Sequence, residues 1–137
     1  MSASLDNVML SPKSENEIKE LNPIVLAFIG DGVHTLYVRD MIVKSSNLLA
    51  NGCHKESAKL CNAKSQANKL ATMMNLLTDE EKDIVRRARN AKTHHTAKNS
   101  DEETYKKATS FEALIGYLYL LGRYDRIKEL LSGEENV

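Results

Sequence analysis

Two acidic residues lie in the middle of stretches that are otherwise apolar. Glu112 is the one carboxylate in the run Phe111–Leu121, and Asp31 interrupts a second apolar run. An ionised carboxylate is costly to bury unless it is paired with a cation or binds a metal. The two acids therefore predict an oxygen-ligand metal site between two packed helices. Pairing with a basic residue, for example Arg39 or Lys107, is the alternative.

Gly30 and Gly32 flank Asp31 in the sequence. Each glycine costs roughly 1 kcal/mol against alanine inside a helix, so two of them beside the acid call for an explanation. They could let another group approach the backbone next to Asp31, or they could allow two helices to pack closely. Both interpretations stay open at this point.

A basic segment, Arg86–Lys98, is the second candidate for chemistry. It contains His94, His95 and no acid, and its five cations are Arg86, Arg87, Arg89, Lys92 and Lys98. A local positive patch suits the phosphates of a nucleic acid, although a solvated helix face is the ordinary alternative. A zinc site that combines the histidines with Cys53 or Cys61 matches no recognised spacing and is not expected.

The composition indicates a single all-α domain. The chain has 137 residues, and its two prolines and six glycines leave little punctuation for a fold with many strands. We expect a flexible tail over residues 1–14 and one domain over residues 15–137. The formal net charge is zero, so only a local patch could favour nucleic acid. No secretory signal or membrane-spanning run is evident, and two cysteines suit reduced thiols, so we expect a cytoplasmic protein.

Hydrophobic patterns and capping signals place the helices that must position the two acids. Ser45–Gly52 is expected to be a loop, and His54–Met74 after it is expected to be one unbroken helix. The helix that carries Glu112 either continues through Ala108–Ser110 or breaks there. The predicted helices are a short turn after Ser14, a largely buried Pro23–Lys44, His54–Met74, a helix capped by Thr78 that runs to about Asn90, one that opens at Asp101 and ends at Gly122, and Tyr124–Leu131.

Both acid-bearing segments resemble motifs of a known family. Ala27–Val33 reads AFIGDGV and resembles the signature motif of the ribonuclease III catalytic domain. Phe111–Leu120 is similar to the family's second motif, in which a glutamate precedes Ala-Leu-Ile-Gly. Arg86–Lys92 and Lys98-Asn99 resemble the basic loop of the short branch, Mini-ribonuclease III, which lacks a double-stranded-RNA-binding domain. The resemblance extends from about Leu21 to Leu131.

The resemblance implies an all-α endonuclease domain that forms a homodimer and cuts double-stranded RNA with magnesium. Asp31 and Glu112 match the family's catalytic, metal-binding acids. Ala27 and Thr109 stand where full-length enzymes have further acids, as in the short branch, which leaves the number of metal ions open. The basic residues Arg86, Arg87, Arg89, Lys92 and Lys98 would hold the RNA.

The family also implies a biological role and an assembly. The role is maturation of the 23S (large-subunit) ribosomal RNA precursor, which leaves 5′-phosphate and 3′-hydroxyl ends, with a ribosomal protein as a candidate partner that presents the RNA. Part of Leu114–Leu121 is expected to face the second subunit. The alternatives are a non-catalytic RNA-binding or ribosome-assembly module with the same fold, and a helical interaction protein whose acids are merely paired.

Overall fold

The structure, a computed structural model, describes residues 14–92 and 101–132. Regular structure in these two ranges is helical and includes no strand, which confirms the all-α prediction. A 3₁₀ turn at Met74–Leu76 connects the fourth helix to the fifth. The α-helices are α1 Glu15–Lys19, α2 Pro23–Ser45, α3 Ala50–Leu60, α4 Ala63–Met73, α5 Asp79–Asn90, α6 Glu102–Leu120 and α7 Tyr124–Leu131.

Helix α6 lies at the centre of the fold, and it packs most extensively against α2. Most of its second half is buried in the chain's own core, including Phe111, Leu114, Tyr117 and Leu118 at 0% exposure. Helices α4 and α5 also pack against α6, so the core is arranged around this one helix. Phe111 and Tyr117 are therefore core residues.

The helix ends follow the predicted capping signals. Ser14 with Glu17 and Thr78 with Glu81 each form a reciprocal capping box, which satisfies backbone donors at the starts of α1 and α5. Gly122 ends α6 at a positive φ of 75°, a conformation that favours glycine. Its N–H donates to the Tyr119 carbonyl at 2.9 Å.

The predicted single helix His54–Met74 is wrong. The structure divides this region into α3 and α4 at Cys61 and Asn62, and the Asn62 side chain explains the break. Its Oδ1 accepts from the Ser65 N–H at 2.8 Å, while its Nδ2 donates to the Ala58 carbonyl at 2.8 Å, so one residue terminates α3 and caps α4. Helix α3 also begins at Ala50, inside the segment expected to be a loop. Helix α6 continues through Ala108–Ser110 without a break.

Helix α2 buries only one of its faces, so the expectation that it is largely buried is wrong. Leu26, His34 and Val38 face the core at 0% exposure. The opposite face carries exposed apolar side chains at helical spacing, here called the apolar stripe: Val25, Phe28, Leu36 and Val43. A helix that is apolar on both faces while only one is covered leaves a surface suited to a partner.

The expectation that part of Leu114–Leu121 faces a second subunit stays a prediction for its last three residues, which are partly exposed. Residues 114–118 are buried within the single chain, and Tyr119, Leu120 and Leu121 pack against the same core. The continuous apolar character of this segment results from its central position in the fold. In the part of the chain that the structure describes, no helix combines the length and the apolar character needed to cross a membrane.

Candidate metal centre

Asp31 on α2 and Glu112 on α6 meet where these two helices touch. Their carboxyl groups lie close enough to interact although 81 positions separate them in the sequence. Asp31 is exposed and Glu112 is partly buried, so the pair has one side in the protein and one side open to solvent. The structure thus brings together the two acids that the sequence singled out.

The two helices approach so closely because each contributes a glycine to the contact. A Cβ built at Gly30 would lie 1.7 Å from the backbone oxygen of Glu112, and one at Gly116 would lie 1.9 Å from the backbone oxygen of Leu26. Real Cβ contacts are essentially never shorter than 3.0 Å, so neither position has room for a side chain. Close helix packing therefore explains Gly30, and the group that approaches it is the backbone of Glu112 itself.

Gly32 behaves differently from Gly30. A Cβ built there meets nothing within 4 Å, so no group of this chain requires a glycine at that position. Of the two glycines beside Asp31, only Gly30 is needed to bring the acids together.

The electrostatics of Glu112 are those of a carboxyl group held against a like charge. Burial, followed by the hydrogen bond and the charge of Asp31, raises the pKa of Glu112 to about 8. A hydrogen bond from Gln66 and the proximity of His34 act in the opposite direction and lower the pKa. The site therefore resists two negative charges, and a bound cation would relieve their repulsion.

No lysine or arginine among the described residues forms an ion pair with either acid. None of the ion pairs in residues 14–92 and 101–132 involves Asp31 or Glu112, so the interpretation that Arg39 or Lys107 pairs with them is wrong. The described residues also contain no group of three or more histidine, cysteine, aspartate and glutamate side chains placed to hold a metal. Two carboxylates with an open side suit Mg²⁺, which keeps several waters and is usually held by one or two carboxylates.

A polar pair that the sequence reasoning missed lies behind Glu112. Gln66 on α4 is 4% exposed and His34 on α2 is 0% exposed. Gln66 Nε2 lies 3.3 Å from His34 Nδ1, and the His34 ring meets the edge of Phe111 with centroids 4.8 Å apart. Periodicity held the signal, because position 66 is in register with the buried Leu70 and Met73.

The basic segment lies on α5 and just after it, and its arginines have partners. Arg86 pairs with Asp83 at 2.5 Å, Arg89 pairs with Glu103 at the start of α6, and Arg87 donates to the Leu21 carbonyl at 3.4 Å. The exposed Lys92 forms no ion pair with residues that the structure describes. The remaining residues of interest here, His94, His95 and Lys98, lie outside the described residues, as does the tail over residues 1–13.

Comparison with known proteins points to one family. The model of the ribonuclease III domain matches residues 24–123, a range that includes both acids. A Mini-ribonuclease 3 of Thermoanaerobacter sp. (strain X514) is 47% identical over 132 residues, which is 96% of this chain and 92% of that protein. A Mini-ribonuclease 3 of Staphylococcus aureus is 47% identical over 122 residues, 88% of this chain and 91% of its own length. A crystal structure of a protein from Fusobacterium nucleatum superimposes with a TM-score of 0.75 at 31% identity, over 85% of this chain and 93% of that one.

Proposed function

Because this chain belongs to the ribonuclease III family and is an endoribonuclease of that family, we propose that it cuts double-stranded RNA at a magnesium site formed by Asp31 and Glu112. The observation that carries the proposal is the contact between these two carboxyl groups at an open edge of the α2–α6 packing, without a basic partner among the described residues. Two acids that repel each other at a solvent-accessible position form a site whose charge a divalent cation would balance.

The chain's own residues would hold the metal ion and fix its position. Asp31 and Glu112 would be the metal ligands, fixed relative to each other by the backbone contact between Gly30 and Glu112. A bound Mg²⁺ supplies Lewis acidity at the scissile phosphate and lowers the pKa of a coordinated water. Hydrolysis by water, without a covalent enzyme intermediate, would leave a 5′-phosphate and a 3′-hydroxyl.

The basic segment would hold the RNA duplex through its phosphates. Arg86, Arg87, Arg89, Lys92 and Lys98 are the proposed contacts, and A-form RNA is recognised mainly through its shape, its phosphates and its 2′-hydroxyl groups. The ion pairs of Arg86 and Arg89 are exposed and therefore weak. A phosphate could replace either carboxylate at little cost, so these pairs are compatible with RNA binding.

The apolar stripe of α2 would be the contact between two subunits. Phe28 is 82% exposed, Leu36 69% and Val43 68%, an unusual amount of apolar surface for one face of a helix. A twofold contact along α2 would cover these side chains. It would also bring two copies of Asp31 toward the same interface, one for each RNA strand.

The substrate that we propose is the precursor of 23S ribosomal RNA, processed in the cytoplasm, with a ribosomal protein as the partner that presents the RNA. The similarity to Mini-ribonuclease 3 proteins over most of the chain supports this branch of the family. The proposal can be tested separately from the cleavage chemistry, with a precursor transcript and a generic duplex as parallel substrates.

Cleavage of a long RNA duplex by wild type and by Asp31→Asn, each with Mg²⁺ or with EDTA, tests the chemistry. We expect cutting by the wild type with Mg²⁺ only, and none by a variant that circular dichroism shows to be folded. Duplex binding by both proteins without cutting of either the duplex or the precursor would instead identify a non-catalytic RNA-binding module. Absence of both binding and cutting would refute the proposal.

A further inference from the structure

The buried polar pair behind Glu112 has no role in the scheme above. Gln66 lies on α4 and His34 on α2, so the pair connects two helices at the point where both reach Glu112 on α6. Both side chains are almost completely enclosed. Buried polar groups are nearly always hydrogen-bonded, so the partners of the Gln66 amide report what holds it in place.

The chemistry of the two partners limits how the Gln66 amide can be oriented. The Gln66 amide interacts with the Glu112 carboxylate. A carboxylate only accepts hydrogen bonds, so the group that faces it is the amide nitrogen Nε2, the one donor atom of a glutamine side chain. The same nitrogen lies 3.3 Å from His34 Nδ1. One amide nitrogen has two protons, so it can donate one to Glu112 and the other to the imidazole.

This arrangement fixes the rotation of the amide. When His34 is neutral and its ring proton is on Nε2, Nδ1 is an acceptor. A half-turn of the Gln66 amide would then place its oxygen against the Nδ1 lone pair and against the Glu112 carboxylate, and both donated hydrogen bonds would be lost. The His34 ring is itself held edge-on against Phe111, the residue before Glu112. Each member of the chain His34, Gln66 and Glu112 therefore restricts the orientation of the next.

We propose that Gln66 is a positioning residue for Glu112: its amide, oriented by His34, holds the Glu112 carboxylate in the direction needed to bind a divalent cation together with Asp31. This inference rests on the proposed function, because it assumes that Glu112 is a metal ligand. Partners of metal ligands commonly act in this way, and their loss typically weakens metal affinity about 10–100-fold.

The test is Gln66→Met, which keeps the length of the side chain and removes its donor. Lys64→Met is the matched control, because it makes a similar replacement at an exposed position of the same helix. Mn²⁺ binding to each full-length protein is measured by electron paramagnetic resonance and calorimetry at one fixed pH. Cleavage is measured as a function of Mg²⁺ concentration.

We expect the Mn²⁺ dissociation constant of Gln66→Met to rise about 10–100-fold, with Lys64→Met unchanged. Cleavage by Gln66→Met should need more Mg²⁺ but return to near the wild-type kcat at saturation, because both ligands remain. If Gln66 had only a structural role, its replacement would not change the Mg²⁺ requirement while leaving kcat at saturating Mg²⁺ near that of the wild type. His34→Phe keeps an aromatic ring against Phe111 and removes the acceptor, and it should give an intermediate loss of affinity.

Equal Mn²⁺ affinity of Gln66→Met and wild type would overturn the inference while leaving the proposed function intact. An equal loss in Lys64→Met would overturn it as well. If Gln66→Met does not fold, His34→Phe decides, since wild-type affinity in that variant would refute the role of the amide's orientation. A wild type that neither binds Mn²⁺ nor cuts RNA would instead refute the proposed function, and the inference with it.

Discussion

Replacing Gly30 by alanine tests whether the backbone contact between α2 and α6 assembles the metal centre. The new Cβ would lie 1.7 Å from the backbone oxygen of Glu112, whereas ordinary van der Waals contact begins at 3.4 Å. The difference, 3.4 − 1.7 = 1.7 Å, is the distance by which the helices must separate locally. The obstacle is backbone, so no side chain can rotate away to absorb it.

Overpacking of a core costs about 1–3 kcal/mol and occasionally more, and a clash with backbone belongs at the upper end of that range. Alanine recovers about 1 kcal/mol of helix propensity, so the net loss of stability is about 2 kcal/mol. For a chain of this length, that loss corresponds to a fall in Tm of roughly 8 °C. Since typical domains are stable by about 5–15 kcal/mol, Gly30→Ala should still fold.

The effect on cleavage should exceed the effect on folding. A shift of the Glu112 backbone changes the distance between the two acids, and a misplacement of about 1 Å can cost about 100-fold in rate. Thermal unfolding followed by circular dichroism gives the stability, and duplex cleavage below the new Tm gives the activity. Gly116→Ala should destabilise the same helix contact from its other end, against Leu26.

Gly32→Ala is the matched control, because it makes the same change two residues away where a Cβ meets nothing within 4 Å. It should keep or slightly raise the stability of the chain, by up to about 1 kcal/mol. Light scattering on the same samples separates any change in subunit association from a change in folding. Wild-type Tm and cleavage in Gly30→Ala, or equal losses in both alanine variants, would refute the reasoning.

Three further predictions concern other parts of the molecule. Without metal, stability should fall as the pH rises from about 4.5 to about 8, because the unfolded chain ionises Glu112 before the folded one does; urea titrations should show this slope in wild type and a smaller one in Glu112→Gln, and an identical slope would contradict it. Arg126→Met should cost about 3 kcal/mol, because Glu81 is 2% exposed and Arg126 binds both of its carboxylate oxygens, at 2.8 and 2.9 Å. Arg86→Met, which breaks an exposed pair with Asp83, should lower the free energy of unfolding by at most about 1 kcal/mol, measured by chemical denaturation. Equal losses of stability in Arg126→Met and Arg86→Met would contradict this prediction. Phe28→Asp should give monomers in analytical ultracentrifugation whereas Leu76→Asp, at an exposed apolar position outside the stripe, should not; a dimeric Phe28→Asp would argue against α2 as the interface.

Local signals in the sequence were sufficient to predict those helix ends that are set by interactions between residues close in the chain. The capping boxes of Ser14 with Glu17 and of Thr78 with Glu81, and the end of α6 at Gly122, each depend on residues within a few positions of one another. The break between α3 and α4 is also local, but its signal is a single asparagine with two roles, and the helical pattern on either side concealed it.

Burial could not be read from composition in the same way. Helix α2 and the second half of α6 are both rich in apolar residues, yet α6 is surrounded by its own chain while α2 exposes Val25, Phe28, Leu36 and Val43. Which apolar face is covered depends on the position of a helix among its neighbours. The sequence therefore could not determine which of the two segments is available to a second subunit.

In the candidate site, too, some features were determined by the sequence and others only by the tertiary structure. The sequence by itself determined the two acids, their apolar surroundings, the all-α class and the family, because these depend on residue types and on motifs within single segments. Only the tertiary structure decided that Gly30 serves the contact with Glu112, that neither acid has a basic partner among the described residues, and that Gln66 and His34 stand behind the site. These facts depend on distances between α2, α4 and α6, and packing of distant segments, unlike a motif, leaves no fixed spacing in the chain.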